Sequence, residues 1–198
     1  LPDMNDAAAM PPAPPAAARR ATWRFLLANP LHAIALGFGS GLAPRAPGTV
    51  GTLWAWAAFL ILRPYLDDAQ WAALIVIGFG LGCWASAVTA RHLGKPDPGC
   101  VVWDEVIAFW IVLWLVTPAS LLAQTIAFAL FRLFDAAKPG PVGFTDRCFK
   151  PRRGASGEMR IGLREGLGIM LDDLVAALCT LLVIAAWRVV WGAIRSIS

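Results

Sequence analysis

Five apolar runs, at residues 49–62, 71–90, 101–117, 119–133 and 174–192, dominate this 198-residue chain, and proline, glycine or charge separates them. Their lengths are those of membrane-crossing helices or nearly so, because the hydrocarbon core of a bilayer takes about 20 helical residues. Composition agrees: the chain is 58% hydrophobic and 15% charged, with a mean hydropathy of +0.62, outside the range of ordinary soluble domains. The fold class expected is therefore all-α, a multi-pass membrane bundle of about five apolar helices. The first and fourth runs are short for a perpendicular crossing and must extend into flanking residues or cross thinned lipid.

The breaks are sharp. Arg63-Pro64 followed by Asp67-Asp68 ends the first run, and Thr117-Pro118 makes a tight hairpin between the third and fourth. Residues 31–42 are apolar but short and glycine-rich, which reads as an interfacial or re-entrant segment. Residues 1–30 read as a disordered Ala/Pro-rich tail, and 31–198 as a single membrane-embedded domain without internal repeats. Residues 1–20 lack the layout of a cleavable signal peptide, so the first span is expected to serve as the membrane signal. Trp54, Trp71, Trp103, Trp187 and Trp191, near run ends, fit an interfacial belt. The four cysteines form no CxxC pair, and His32 and His92 read as interfacial polar residues.

Lysine and arginine set the orientation, since cytoplasmic loops retain positive charge. Arg19, Arg20, Arg24 and Arg45 precede the first run, Arg91 and Lys95 follow the second, and Lys138, Arg147, Lys150, Arg152, Arg153, Arg160 and Arg164 follow the fourth. The intervening loops carry only Arg63 against two aspartates, or no charge. An N-terminus inside with five crossings satisfies this bias. The net charge of +4 is not gathered into a basic patch interleaved with aromatics, so nucleic acid is not an expected partner, whereas anionic membrane lipid is.

Against this apolar background stand three acidic stations: Asp104-Glu105 in VVWDEVIAFW, Asp135 with Lys138 in FRLFDAAKP, and Asp172-Asp173 in GIMLDDLVAA. An ionisable group in an apolar span is costly unless it faces a cavity, a partner or an ion. With five crossings all three stations fall at cytoplasmic helix ends, which predicts one shared site on that face. Clustered carboxylates repel unless they are protonated or joined by a cation, and hard oxygen ligands suit Mg²⁺, with Mn²⁺ as a substitute. Acidic residues in a first helical turn also meet the helix dipole favourably, which would explain Asp104-Glu105 and Asp172-Asp173 without chemistry but not Asp135.

Successive helical residues point about 100° apart, so one member of each adjacent pair is expected on the metal and the other behind it. Glu105, Asp135 and Asp173 are the first choices as ligands, Asp173 because it shares a face with the small Ala176 and Ala177. The segment GLAPRAPGTVG offers anion-binding chemistry: Arg45 presents a fork of donors, and Thr49 can cap the following helix. It lacks the spacing and lysine of a P-loop. No cysteine has an arginine six positions on, the two histidines do not form a histidine-phosphatase pattern, and no Asp-x-Asp nucleophile is present. A metal-and-carboxylate route to hydrolysis remains, with a cation-binding transport subunit as the non-enzymatic alternative.

The segments GLAPRAPGTVGTLWA (41–55), VVWDEVIAF (101–109), FRLFDAAKPGPVGFTDR (131–147) and GLGIMLDDLVAA (166–177), in this order, resemble the phosphatidylglycerophosphatase A family of bacterial membrane enzymes. The resemblance implies Mg²⁺-dependent removal of the terminal phosphate of phosphatidylglycerophosphate, an anionic phospholipid, in phospholipid biosynthesis. It implies a site on the cytoplasmic face of the inner membrane, with another lipid phosphate such as phosphatidic acid as the alternative substrate. The family's acidic positions fall on Asp104, Glu105, Asp135, Asp146, Asp172 and Asp173. Its basic and polar positions fall on Arg45, Thr49, Arg132 and Lys138, expected on the substrate phosphate. Asp104, Asp146 and Asp172 are expected behind the metal ligands. Gly140, Ala108, Ala177 and residues 151–165 depart from the family pattern.

Overall fold

The computed structural model describes residues 20–137 and 162–197. Those residues are mainly helical, with no strand among them: α1 (Trp23–Leu27), α2 (Pro30–Ala35), a 3₁₀ turn (Gly37–Leu42), α3 (Pro47–Leu62), a short 3₁₀ turn (Arg63–Tyr65), α4 (Asp68–Leu93), α5 (Trp103–Val116), α6 (Leu121–Ala137) and α7 (Leu163–Ile197). Trp23–Leu27 lies within the stretch read as tail, and residues 31–42 fold as two short pieces. Local chemistry sets several boundaries. Asp67 and Gln70 form a reciprocal capping box at the start of α4, and Gly94 ends it with a left-handed φ of 67°. Pro47 opens α3, where its missing N–H costs no helical bond.

The core is built around α5, which packs against α3, α4, α6 and α7. Ten of its fourteen residues are buried. At 1.5 Å per residue α5 is only about 21 Å long, shorter than the roughly 30 Å hydrocarbon core. Its apolarity is explained largely by the neighbouring helices, which bury most of its length and leave Leu115 exposed. Two helices, spanning Asp68–Leu93 and Leu163–Arg195, are long and apolar enough to cross a membrane. That is fewer than the five runs suggest, because burial against other helices demands the same apolar side chains as lipid does.

Tryptophan divides along the same line. Trp71, Trp103 and Trp110 are buried in the core, and the belt reading is corrected for the first two. The Trp103 indole N–H donates to the Gly78 carbonyl at 2.9 Å and that of Trp110 to the Ala55 carbonyl at 2.8 Å, tying α5 to α4 and α3. Trp187 and Trp191 are exposed near the end of α7, stacked on each other, with Arg195 over the Trp191 ring.

The α4–α7 crossing depends on backbone proximity. A Cβ at Gly166 would lie 2.2 Å from the Cys83 carbonyl oxygen and 3.0 Å from the Ala87 nitrogen, and neither is a flexible atom. Gly166→Ala is expected to force the helices apart and cost about 1–3 kcal/mol, the usual range for overpacking. An unchanged melting temperature in detergent would show that the crossing relaxes freely.

A second clamp holds the N-terminal helices. His32 is buried, not interfacial; its ring stacks on Phe25, its Nδ1–H donates to the Phe25 carbonyl at 2.8 Å, and its Nε2 lies 2.7 Å from His92 Nδ1. A carbonyl can only accept, so the His32 proton sits on Nδ1 and His92 donates to Nε2. Burial holds the His32 imidazole below its ordinary value, outweighing the bond to Phe25. The neutral ring is thus favoured by folding. Its contribution is complete above the unfolded value of about 6.5 and is lost as pH falls from there toward the depressed folded value. Thermal stability should therefore fall between about pH 7.5 and about pH 5.5, and fall less in His32→Asn. An identical pH dependence in the two proteins would remove His32 as the cause.

Candidate active site

Three helices deliver carboxylates to one cavity of about 130 Å³. Asp104 and Glu105 come from the first turn of α5, Asp135 from the last turns of α6, and Asp172 and Asp173 from α7. Asp97, in the loop before α5, lines it as well. The starts of α5 and α7 and the end of α6 lie at one end of the bundle because α5 and α6 form a hairpin.

The dipole accounts for only part of this arrangement. Asp104 and Glu105 do occupy the first turn of α5. By contrast, α7 begins at Leu163, upstream of the run at 174, so Asp172 and Asp173 sit near its third turn. There the helix offers no free backbone N–H groups and little of its terminal charge. Asp173 is 4% exposed and Asp172 8%, beside the fully packed Ala176 and Ala177.

Carboxylate oxygens from Asp104, Glu105 and Asp173 lie within 4.8 Å of one another. Asp104 Oδ1, Glu105 Oε2 and Asp173 Oδ2 are buried and accept no hydrogen bond from the described residues. Three converging carboxylates, each keeping a buried and unsatisfied oxygen, are a poor arrangement by themselves and a suitable one for a hard divalent cation. The residues present thus fit a metal. Asp104 belongs to this closest group, whereas Asp135 is engaged by an arginine and stands near enough to repel Asp104, Glu105 and Asp173.

That arginine is Arg132, one helical turn before Asp135. Its Nη1 forms a close ion pair with Asp135 Oδ2 and stands 3.7 Å from Glu105 Oε1. The same nitrogen donates to Thr52 Oγ1 at 3.3 Å, while the Thr52 hydroxyl donates to the Gly48 carbonyl at 2.8 Å. Arg132 therefore braces the carboxylates against α3. Gly48 leaves room for the arrangement, since a Cβ there would lie 2.2 Å from Glu105 Oε1 and 3.1 Å from Arg132.

The remaining residues predicted on the phosphate are placed differently. Thr49 is the third residue of α3 and does not cap it; the cap position is Ala46, left-handed at φ 46°, with no side-chain bond. Arg45 is exposed just before that helix and does not line the acidic cavity. Lys138 and Asp146 lie outside the described residues. Sequence reading missed Asp97, Thr52 and Gly48. Asp97 carried a signal, an acid in the charged turn joining the second and third runs, but Thr52 and Gly48 matter only through where α3 meets α5 and α6.

The geometry can now be set beside known proteins. The phosphatidylglycerophosphatase A family profile matches residues 33–188. Phosphatidylglycerophosphatase A of Escherichia coli strain K12 is 35% identical over 153 residues, 77% of this chain and 80% of that one. Its namesake in Haemophilus influenzae is 37% identical over 163 residues, 82% of this chain and 91% of the other. A Bacteroides thetaiotaomicron protein, provisionally named a phosphatidylinositol-3-phosphatase, is 36% identical over 166 residues, 80% of this chain and 94% of its own. No solved structure matches. The matched region contains all five carboxylates that α5, α6 and α7 bring to the cavity, and the chain belongs to the phosphatidylglycerophosphatase A family of phosphatase enzymes.

Proposed function

We propose that this chain hydrolyses phosphatidylglycerophosphate to phosphatidylglycerol and inorganic phosphate in phospholipid biosynthesis, using Mg²⁺. The observation that carries the reading is the buried group of Asp104, Glu105 and Asp173, whose carboxylates converge and each keep an oxygen with no hydrogen-bond donor among the described residues. These three residues would hold the cation, which when bound offsets phosphate charge and makes a water more acidic. Asp135 and Asp172, which line the same cavity, are proposed to orient or deprotonate the attacking water. Direct attack by a carboxylate to give a phospho-enzyme is the other route open to the same residues. Arg132 holds Glu105 and Asp135 in register through its ion pairs. Arg45 and Lys138 are proposed as donors to the phosphate oxygens as charge develops in the transition state.

In this reading the five longer helices form a five-crossing bundle in the bacterial inner membrane, with the carboxylates facing the cytoplasm. The lysine and arginine bias supports that orientation. Shorter helices such as α5 would be accommodated by their neighbours, so the lipid's chains stay in the bilayer while its head group reaches the cavity. The purified protein should release phosphate from phosphatidylglycerophosphate in detergent micelles with Mg²⁺ and lose that activity in EDTA, regaining it with Mn²⁺. Undiminished release in EDTA would refute the metal assignment. Faster turnover of phosphatidic acid or phosphatidylinositol 3-phosphate would move the assignment to another lipid phosphate, a possibility raised by the name of the Bacteroides relative.

A further inference from the structure

A second cavity, of about 270 Å³, adjoins the acidic one and has the opposite charge. Arg20 and Lys95 line it together with Gly41, Leu42 and Cys100, and no carboxylate is among the described residues that line it. Gly99 lines both cavities, so the basic and acidic compartments share part of a wall. Asp97, two positions from Lys95, lines the acidic side.

The basic compartment is held by backbone. The left-handed Gly94 stops α4, its N–H donating to the Arg91 carbonyl and that of Lys95 to the Ala90 carbonyl, each at 3.1 Å. Lys95 is thereby fixed to the helix end. On the facing wall the 3₁₀ turn meets the loop before α5 so closely that a Cβ at Gly41 would lie 2.0 Å from the Cys100 carbonyl oxygen. A larger residue at position 41 would push the turn away from that loop.

Opposite charges side by side suit a ligand with two unlike anionic requirements. Phosphatidylglycerophosphate has a terminal phosphomonoester and, one glycerol unit away, a phosphodiester that is not hydrolysed. The monoester would meet a cation held by the carboxylates. The diester has no such cation and needs protein donors. We propose that the Arg20–Lys95 cavity binds this phosphodiester, which lets the enzyme recognise a lipid bearing two phosphates. The proposal rests on the phosphatase reading above. The shared chemistry is that of anionic phosphate oxygens, which a lipid diester and released inorganic phosphate both offer.

Steady-state kinetics in mixed micelles separate these sources. In Arg20→Ala/Lys95→Ala the apparent KM for phosphatidylglycerophosphate should rise about tenfold with kcat within about twofold, as expected for lost binding common to ground and transition states. Lys95→Arg should stay near the parental KM, which shows that charge and not folding is read. Phosphatidylglycerol, which keeps the diester, should inhibit the double variant several-fold less than the parent. Phosphatidic acid, with a monoester alone, should inhibit both equally.

An unchanged KM in the double variant would overturn the proposal. So would equal weakening of both lipid inhibitors, the signature of general attraction to an anionic surface, or loss of inhibition by inorganic phosphate alone. If the parental protein releases no phosphate from phosphatidylglycerophosphate, the phosphatase reading fails. Binding of labelled phosphatidylglycerol to the parent and the double variant then decides the cavity separately: weaker binding by the variant supports an anionic-lipid site, and equal binding refutes it.

Discussion

Asp173→Asn is expected to reduce phosphate release by roughly 10²- to 10⁴-fold, the range for loss of a group that acts directly at the reacting centre. Asparagine has nearly the same shape, so the buried site should still pack, but it brings a neutral oxygen in place of a charged ligand. Asp173 is 4% exposed, its Oδ2 accepts no hydrogen bond from the described residues, and it completes the group with Asp104 and Glu105. A neutral amide adds nothing to the repulsion among the clustered carboxylates, so the metal-free variant should melt no lower than the metal-free parent. The two should diverge with Mg²⁺. A ligand at about 100 times its Kd stabilises the folded state by about 2.7 kcal/mol, and the parent should show such an upward shift while the variant shows much less. Parental phosphate release from folded Asp173→Asn would remove the acidic cavity from the chemistry.

The largest loss of stability should follow from Arg132→Met, at about 3 kcal/mol, near the lower end of the range for removing one partner of a buried ion pair. The lower end is appropriate because the side chains are not fully enclosed: Arg132 is 19% exposed, Glu105 11% and Asp135 13%. Methionine fills similar volume, so the effect isolates the charge. Without the guanidinium, Glu105 and Asp135 lose the cation that pairs with both of them. Arg132→Lys should fall between, since the lysine ammonium keeps the charge but ends one bond short of the Nη1 nitrogen that reaches Glu105, Asp135 and Thr52. Mg²⁺ should recover part of the lost melting temperature in Arg132→Met by supplying positive charge. A variant that melts with the parent would remove Arg132 as a stabilising brace of the site.

The acidic stations were legible because charge inside apolar sequence is rare, and costly enough to mark itself. Asp104, Glu105, Asp135, Asp172 and Asp173 all stood out before any contact was known. What each one touches did not. Asp172 and Asp173 read as a helix start because leucines and alanines follow them, yet the helix begins at Leu163 and the dipole cannot account for them. Thr49 read as a cap from its position before an apolar run, but Pro47 and the left-handed Ala46 start α3 earlier. Arg132 carried no local signal of its role as the brace between α3, α5 and α6.

By itself, then, the sequence determined the helical class, the apolar runs and the identity of the residues that cannot rest in apolar surroundings. These follow from local propensity and from the cost of burying charge, both of which act residue by residue. Only the tertiary structure decided which apolar faces meet protein, since lipid and a neighbouring helix select the same side chains. It set α5 at the centre, made core residues of Trp71 and Trp103, and brought Arg132 between Glu105 and Asp135. Such pairings join residues far apart along the chain, and their energies exist only once the helices have packed.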